Sequence, residues 1–462
     1  MGKGLEGWSV RHLLMVSVAL NVWLVLKLTY YEKDINFGTK QIFHGFCAED
    51  KQLKDVPFSS SSSSSSSMVA AEPTEEKVNN LINPPSYSNY DELDADEDRV
   101  VNLDHGDPTM YEKYWEKEGD KTTVVISGWQ SMSYFSDVKN LCWFLEPTLG
   151  KEVIRLHNVV GNAITEGRHI VVGTGSTQLF QAALYALSFG QSAQPISVVS
   201  ATPYYSFYRQ VIEYLKSGLY KWVGDTANFS EDGPYIELIT SPNNPDGFMR
   251  QPVVNGSGGM LIHDFAYYWP QYTPITSPGD HDIMLFTVSK TTGHAGMRIG
   301  WALVKDDEVA KRMTKFIELS SIGVSKDSQL RAAKILQAVS NSCDNTGDFQ
   351  NRENFFENSH HLIEDRWKQL RAAVKQSRMF STPEFPPAFC TYTNRTFKTQ
   401  PAFAWLKCES EAEDCESFLR KHKVLTRGGK HFGMSPQYVR ISMLDRESNF
   451  NLFIKRLSTM HS

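Results

Sequence analysis

Between residues 169 and 290 the chain returns five times to one arrangement: a short apolar run that ends in a cluster of small, polar or aromatic residues. The five are "HIVVGTGST" (169–177), "ISVVSATPYYSFY" (196–208), "IELITSPNNPDG" (236–247), "GMLIHDFAYYWP" (259–270) and "DIMLFTVSK" (282–290). Apolar runs of this length that do not alternate with polar residues read as strands covered on both faces, and they restrict the fold to a sheet layered between helices. Open α/β sheets bind ligands outside the carboxyl ends of their strands, which is where each cluster falls.

The clusters differ in chemistry. Gly175, Ser176 and Thr177 open a helix with apolar residues at helical spacing, so backbone N–H groups, hydroxyls and the positive end of the helix dipole face one point. That is a phosphate cup, although an ordinary strand-to-helix turn has the same composition. The loop lacks the Gly-Lys-Ser/Thr ending of a P-loop and the third glycine of a dinucleotide fingerprint, which argues against a nucleotide. Asp264 ends one run and is equally suited to capping a helix. Asn244 precedes Pro245 in a turn, and Tyr204, Tyr205 and Tyr267 offer aromatic faces that packing alone would also explain. Lys290 ends the last run, where burial would depress its pKa and make it an amine nucleophile; an isolated lysine would read as a surface residue.

One ligand needs all five groups together. Pyridoxal 5′-phosphate requires amides and hydroxyls for its phosphate, an aromatic plate for its ring and donors for its phenolate oxygen. It also requires a carboxylate for its pyridine nitrogen and a lysine for its aldehyde.

Outside this region the chain changes character. Residues 12–26 hold no Asp, Glu, Lys or Arg and lie between Arg11 and Lys27, and no small-residue cleavage site follows them. The expectation is a short stub (1–11), a single-pass transmembrane anchor (12–28) and a disordered linker (29–97) with nine consecutive serines, Ser59 to Ser67, and the acidic "DELDADED". A net charge of −6 with scattered Lys and Arg gives no reason to expect a nucleic acid partner. Six cysteines show no metal-binding spacing; Cys408 and Cys415 would pair in an oxidising lumen, with free thiols the expected state. Sequons at Asn228, Asn255 and Asn394 lend little weight to a lumenal position.

The motifs "GTGSTQL", "TPYYSFY", "TSPNNPDGF", "HDFAYYWPQYTPITSP" and "SKTTGHAGMRIGWALVKD" resemble, in order and spacing, the alliinase-like branch of the fold-type I pyridoxal-phosphate aminotransferases. "GWQSMSYFSD", "VSKDSQLRAAKIL" and "YVRISMLDR" extend the resemblance to the membrane-anchored plant tryptophan aminotransferase-related proteins, over roughly residues 98–462. The resemblance implies a large domain (140–325) with a mostly parallel doubly wound sheet. It also implies a smaller α/β C-terminal domain (326–462), with residues 98–139 contributing to the small domain and to dimer contacts.

By the same resemblance Lys290 is cofactor anchor and proton shuttle, Asp264 the partner of the pyridine nitrogen, and Asn244 and Tyr267 the phenolate donors. Gly175, Ser176, Thr177, Ser289 and Arg298 hold the phosphate, and Tyr205 stacks on the ring, with Tyr204 the alternative. Tyr134 reaches the phosphate of a neighbouring subunit, which implies a homodimer with shared active sites. Arg440 clamps the substrate carboxylate, bidentately as guanidinium geometry permits. Trp129, Met132 and Phe180 are candidate walls of an indole pocket, although each alone would also read as core.

The reaction implied is transamination from L-tryptophan to a 2-oxo acid such as pyruvate, giving indole-3-pyruvate for auxin synthesis at the endoplasmic reticulum membrane. The same residues would serve an alliinase-type C–S lyase. Against that reading, the region ahead of the catalytic part holds Cys47 alone where alliinases carry a cysteine-rich module. A catalytically retired, membrane-tethered binding protein is a further alternative, opposed by the presence of Lys290, Asp264 and Arg440.

Overall fold

The five apolar runs all form strands of one sheet. After a short β1 (Val101–Asn102) come β2 (His169–Gly173), β3 (Ile196–Ser200), β4 (Tyr220–Asp225), β5 (Tyr235–Thr240), β6 (Gly259–Asp264), β7 (Ile283–Thr287) and β8 (Gly300–Val304). The computed structural model describes residues 97–190, 194–344, 354–409 and 414–460, which fall in one compact unit. The expected stub and anchor, and all but the last residue of the expected linker, lie outside the described residues. Among the described residues no helix is long and apolar enough to cross a membrane.

The central sheet has the order β2-β8-β7-β6-β5-β3-β4. β3 to β7 are parallel to one another, and β8 runs antiparallel to both β2 and β7. Every residue of β3, β5, β7 and β8 is buried, as strands covered on both faces must be. Helices Pro147–Val160, Gly175–Ser188 and Asp307–Ser321 supply apolar stripes to the core around the sheet.

A second, four-stranded antiparallel sheet follows in the chain. Its strands come from the series β9 (Phe380–Ser381), β10 (Pro387–Cys390), β11 (Arg395–Lys398), β12 (Phe403–Cys408), β13 (Val424–Leu425), β14 (Arg427–Gly428) and β15 (Tyr438–Ser442). Its order is β14-β15-β12-β9; β10 and β11 pair apart as a hairpin, and β13 pairs in parallel with β1. The Ser442 amide also donates to Leu103 O at 2.9 Å, so residues 101–103 are stitched to the C-terminal part.

The cysteines depart from the expectation of free thiols. Cys408 at the end of β12 and Cys415 at the start of the Cys415–Lys421 helix form a disulfide, Cα to Cα 5.8 Å. Their amides donate to the adjacent carbonyls of Gln437 and Pro436, at 2.8 and 2.9 Å, and this shared anchor brings the two residues together. No sequence spacing could reveal an anchor more than twenty residues away. Asn228, Asn255 and Asn394 are all exposed.

Candidate active site

The carboxyl ends of β5, β6 and β7 open into a cleft of about 650 Å³, including its mouth. Ser176, Thr177, Tyr205, Asn244, Asp264, Tyr267, Ser289, Lys290 and Arg298 line it, joined by Thr240, Ala266, Thr287 and Ala295. Of the residues expected around a cofactor, only Gly175 and Tyr134 are not in this lining. Gly175 lies directly behind it: a Cβ there would come within 2.6 Å of Arg298 Nη2.

The reversed direction of β8 gathers the anion-binding groups. A parallel strand would start at the far edge of the sheet, whereas antiparallel β8 starts at the cleft, so Lys290 after β7 and Arg298 before β8 flank one short loop. Gly300 begins β8 opposite Gly173, and a Cβ on it would lie 2.8 Å from the Ser176 amide nitrogen. With no side chain there, the helix N-terminus at Gly175 settles onto the sheet edge, and Gly175 itself (φ +72°) takes the left-handed conformation that glycine tolerates best. Peptide N–H groups, two hydroxyls and a guanidinium then converge as an anion site. Behind them Thr287 Oγ1 accepts from the Ser289 amide at 3.3 Å and donates to Ile299 O at 3.1 Å.

Asp264 is buried at the floor and accepts from Tyr208 Oη (2.9 Å) and the Ala266 amide (3.1 Å). Burial raises its pKa, and these two hydrogen bonds pull it back. Among the described residues it has no cationic partner, so a protonated ring nitrogen entering the cleft would meet an unpaired carboxylate. Burial also raises Tyr267 well above an ordinary phenol, keeping its hydroxyl a donor. Asn244 Oδ1 accepts from Arg440 Nη1 at 3.0 Å, which commits the oxygen and leaves the amide N–H groups for the cleft. Tyr205 packs edge-on to Tyr208, ring centroids 5.3 Å apart, and lines the cleft; Tyr204 is buried instead against Trp222, so of the two adjacent tyrosines Tyr205 is the one that faces the cleft. Burial, aided by the charges of Arg440 and Arg298, lowers Lys290 from 10.5 to about 8, against the opposing pull of Asp107.

Arg440 arrives from the second sheet. It is buried, its guanidinium carbon 4.1 Å from the centroid of the Phe403 ring and 5.3 Å from that of Phe432. Burial lowers its pKa to about 10, with Arg427 pushing the same way. Its Nη2 donates to Asp104 O, while Lys290 Nζ donates to Gly106 O. The segment Asp104–Asp107 is thus a strap that engages the amine and the guanidinium through carbonyls two residues apart, at most about 7 Å. Sequence reasoning passed over this strap, because its contribution comes from the backbone. It also missed Tyr208, in the first turn of the helix that Tyr205 precedes; its place three residues after Tyr205 was the available signal.

Three expected pocket walls are not at the cleft. Phe180 is buried behind it against Tyr208, ring centroids 5.3 Å apart, because its turn of the helix faces the sheet. Trp129 and Met132, on the short helical turn around Gly128–Ser131, are 73% and 83% exposed, and Tyr134 is 70% exposed; none touches the cleft of its own chain. The Tyr267 ring centroid lies 5.9 Å from Lys290 Nζ, and Phe403 packs on Tyr267 at 5.7 Å.

A mostly parallel seven-stranded sheet with a lysine, a buried acid and an anion cup along one edge defines a fold-type I pyridoxal-phosphate enzyme. Solved structures show the same fold at low identity. A methionine aminotransferase from Escherichia coli matches with TM-score 0.56 and 15% identity over 84% of this chain and all of its own, and the aspartate aminotransferase from Rhizobium meliloti with TM-score 0.56 and 16% identity over 85% and 99%. The chain belongs to the allinase family, whose C-terminal model matches residues 101–461. It is 61% identical over 373 residues to tryptophan aminotransferase-related protein 2 of Arabidopsis thaliana, covering 80% of this chain and 84% of the relative. Alliin lyase of Allium cepa var. aggregatum is 36% identical over 365 residues, 77% and 80% of the two chains. The family is pyridoxal-phosphate-dependent, and the unpaired Asp264, the anion cup and the buried amine of Lys290 fit that group.

Proposed function

We propose that the protein transfers the α-amino group of L-tryptophan to a 2-oxo acid, with pyruvate as acceptor, releasing indole-3-pyruvate for auxin synthesis. The observation that carries this reading is the pairing of Lys290 and Arg440 on the strap, which spaces an amine and a carboxylate grip to suit one α-amino acid. Bound pyridoxal 5′-phosphate supplies a ring that draws electrons from the substrate Cα. Lys290, eased towards its neutral form, would anchor that group and, once released from it, carry the proton away from Cα. Asp264 would keep the ring nitrogen protonated, Asn244 and Tyr267 would donate to the phenolate oxygen, and Ser176, Thr177, Ser289 and Arg298 would hold the phosphate. Arg440 would orient the carboxylate so that the Cα–H bond faces Lys290.

The choice of tryptophan is supported by the 61% identity to a protein named tryptophan aminotransferase-related. The C–S lyase reading is supported by the alliin lyase relatives, since elimination uses the same grip and the same amine. In our reading the enzyme is a homodimer that sits on the endoplasmic reticulum membrane through residues 12–28. Exposed Tyr134 then serves the partner's phosphate, and Trp129 and Met132 find their cover at the subunit contact.

Residues 98–462 mixed with L-tryptophan and no acceptor provide the test. Indole-3-pyruvate formed in proportion to enzyme, with the cofactor left in its amine form, is the expected result. An unchanged cofactor spectrum with tryptophan, together with pyruvate released from S-alkyl-cysteine sulfoxides, would overturn it in favour of elimination.

A further inference from the structure

Two arginines stand side by side at the strap. Arg427 on β14 is the direct cross-strand partner of Arg440 on β15, so their side chains leave the same face of the sheet. Arg427 Nη1 donates to Ser206 Oγ at 3.3 Å, next to Tyr205 in the cleft wall. Like charges in this position repel, and the structure compensates them unequally. The carboxylate of Asp104 takes one edge of Arg427 with both its oxygens, Nε at 2.5 Å and Nη2 at 3.3 Å, a bidentate ion pair. Arg440 receives the neutral carbonyl of the same residue, the neutral amide oxygen of Asn244 and the faces of Phe403 and Phe432, and its Nε has no partner among the described residues. One residue therefore forms an ion pair with one arginine and leaves the other without a carboxylate partner among the described residues.

We infer that Asp104 is a specificity-determining residue: by occupying Arg427 it leaves Arg440, held against Asn244 at the edge of the cleft, as the single carboxylate grip and restricts the site to monocarboxylic amino and oxo acids. A substrate with a second carboxylate would find Arg427 already paired and would meet the negative charge of Asp104 beside it. This rests on the reading of Arg440 as the α-carboxylate grip. Asp104 acts through the two arginines and is a positioning residue, not a catalytic one.

The test is carboxylate binding to the holoenzyme by titration calorimetry, with indole-3-propionate as the monocarboxylate and succinate as the dicarboxylate. Asp104→Asn should shift the affinity ratio towards succinate by about tenfold, the scale of one freed charge pair at a partly buried site. Adding Arg427→Met should abolish that shift. Equal effects on both ligands in Asp104→Asn, or a shift that survives in the double variant, would overturn the inference. Should Asp104→Asn not fold, Arg427→Met alone decides: it leaves the Asp104 carboxylate unpaired beside Arg440, and indole-3-propionate should bind severalfold more weakly, unchanged binding being the contrary result. Arg440→Ala separates the two levels. Undiminished binding of indole-3-propionate to that variant would sink the grip itself, whereas weakened binding without the Asp104 shift would sink only the specificity assignment.

Discussion

At the scale of single residues, burial brings the Lys290 amine from 10.5 down to about 8, Arg440 and Arg298 push the same way, and the charge of Asp107 opposes them. An amine attacks a carbonyl only when neutral, so the depressed value places that form within reach of neutral pH. The rate at which apoenzyme takes up pyridoxal 5′-phosphate should therefore rise with pH through a midpoint near 8 and level off above it, whereas an ordinary lysine would have its midpoint near 10.5. Asp107→Asn removes the opposing charge and should move that midpoint lower; stopped-flow absorbance across pH checks this, and a midpoint that rises would contradict the assignment. Lys290 and Asp264 were legible in the sequence because each ends an apolar run, where a charged side chain has no solvated face to occupy. The choice between Tyr204 and Tyr205 was not, since adjacent residues on an extended segment point opposite ways and only the surrounding fold shows which faces the cleft.

Among the elements, the buried strands were readable because unbroken apolar runs admit few other structures. The direction of β8 was not, and that direction is what brings Arg298 back to the loop of Lys290. The strap Asp104–Asp107 escaped notice for a different reason: its carbonyls would be the same whatever the side chains. The indole walls proposed at Trp129, Met132 and Phe180 rested on nearness in sequence, and the fold sends the first two to the surface and the third behind Tyr208. The Gly175–Ser188 helix gives the clearest test at this scale. Gly175→Ala would force a Cβ to within 2.6 Å of Arg298 at a left-handed position. The expected outcome is about tenfold weaker cofactor binding, from roughly 1 kcal/mol of backbone strain plus the displaced guanidinium, with the fold retained. Cofactor dissociation followed by fluorescence, alongside circular dichroism, separates the two effects; undiminished affinity would mean that the cup does not depend on this close approach.

Across the whole molecule, the two ends of the described chain are knitted together. β1 pairs with β13, Arg456 donates to Arg99 O, and the Cys408–Cys415 bond ties β12 to the helix whose Glu416 accepts from the Gly428 amide at 3.0 Å, next to Arg427. Closing so short a loop should stabilise by about 2 kcal/mol through the unfolded chain. Cys408→Ser with Cys415→Ser should lower the urea midpoint accordingly, and an unchanged midpoint would show that the link constrains nothing. The arrangement also orders events during synthesis. The phosphate cup, Asp264 and Lys290 are complete once β8, ending at Val304, has left the ribosome, whereas Arg440 follows well over a hundred residues later and the strap has waited since residue 104. With the roles proposed above, a nascent chain would gain the means to hold its cofactor before the means to hold a substrate, and the last stretch translated would be the one that turns a loaded protein into a working one.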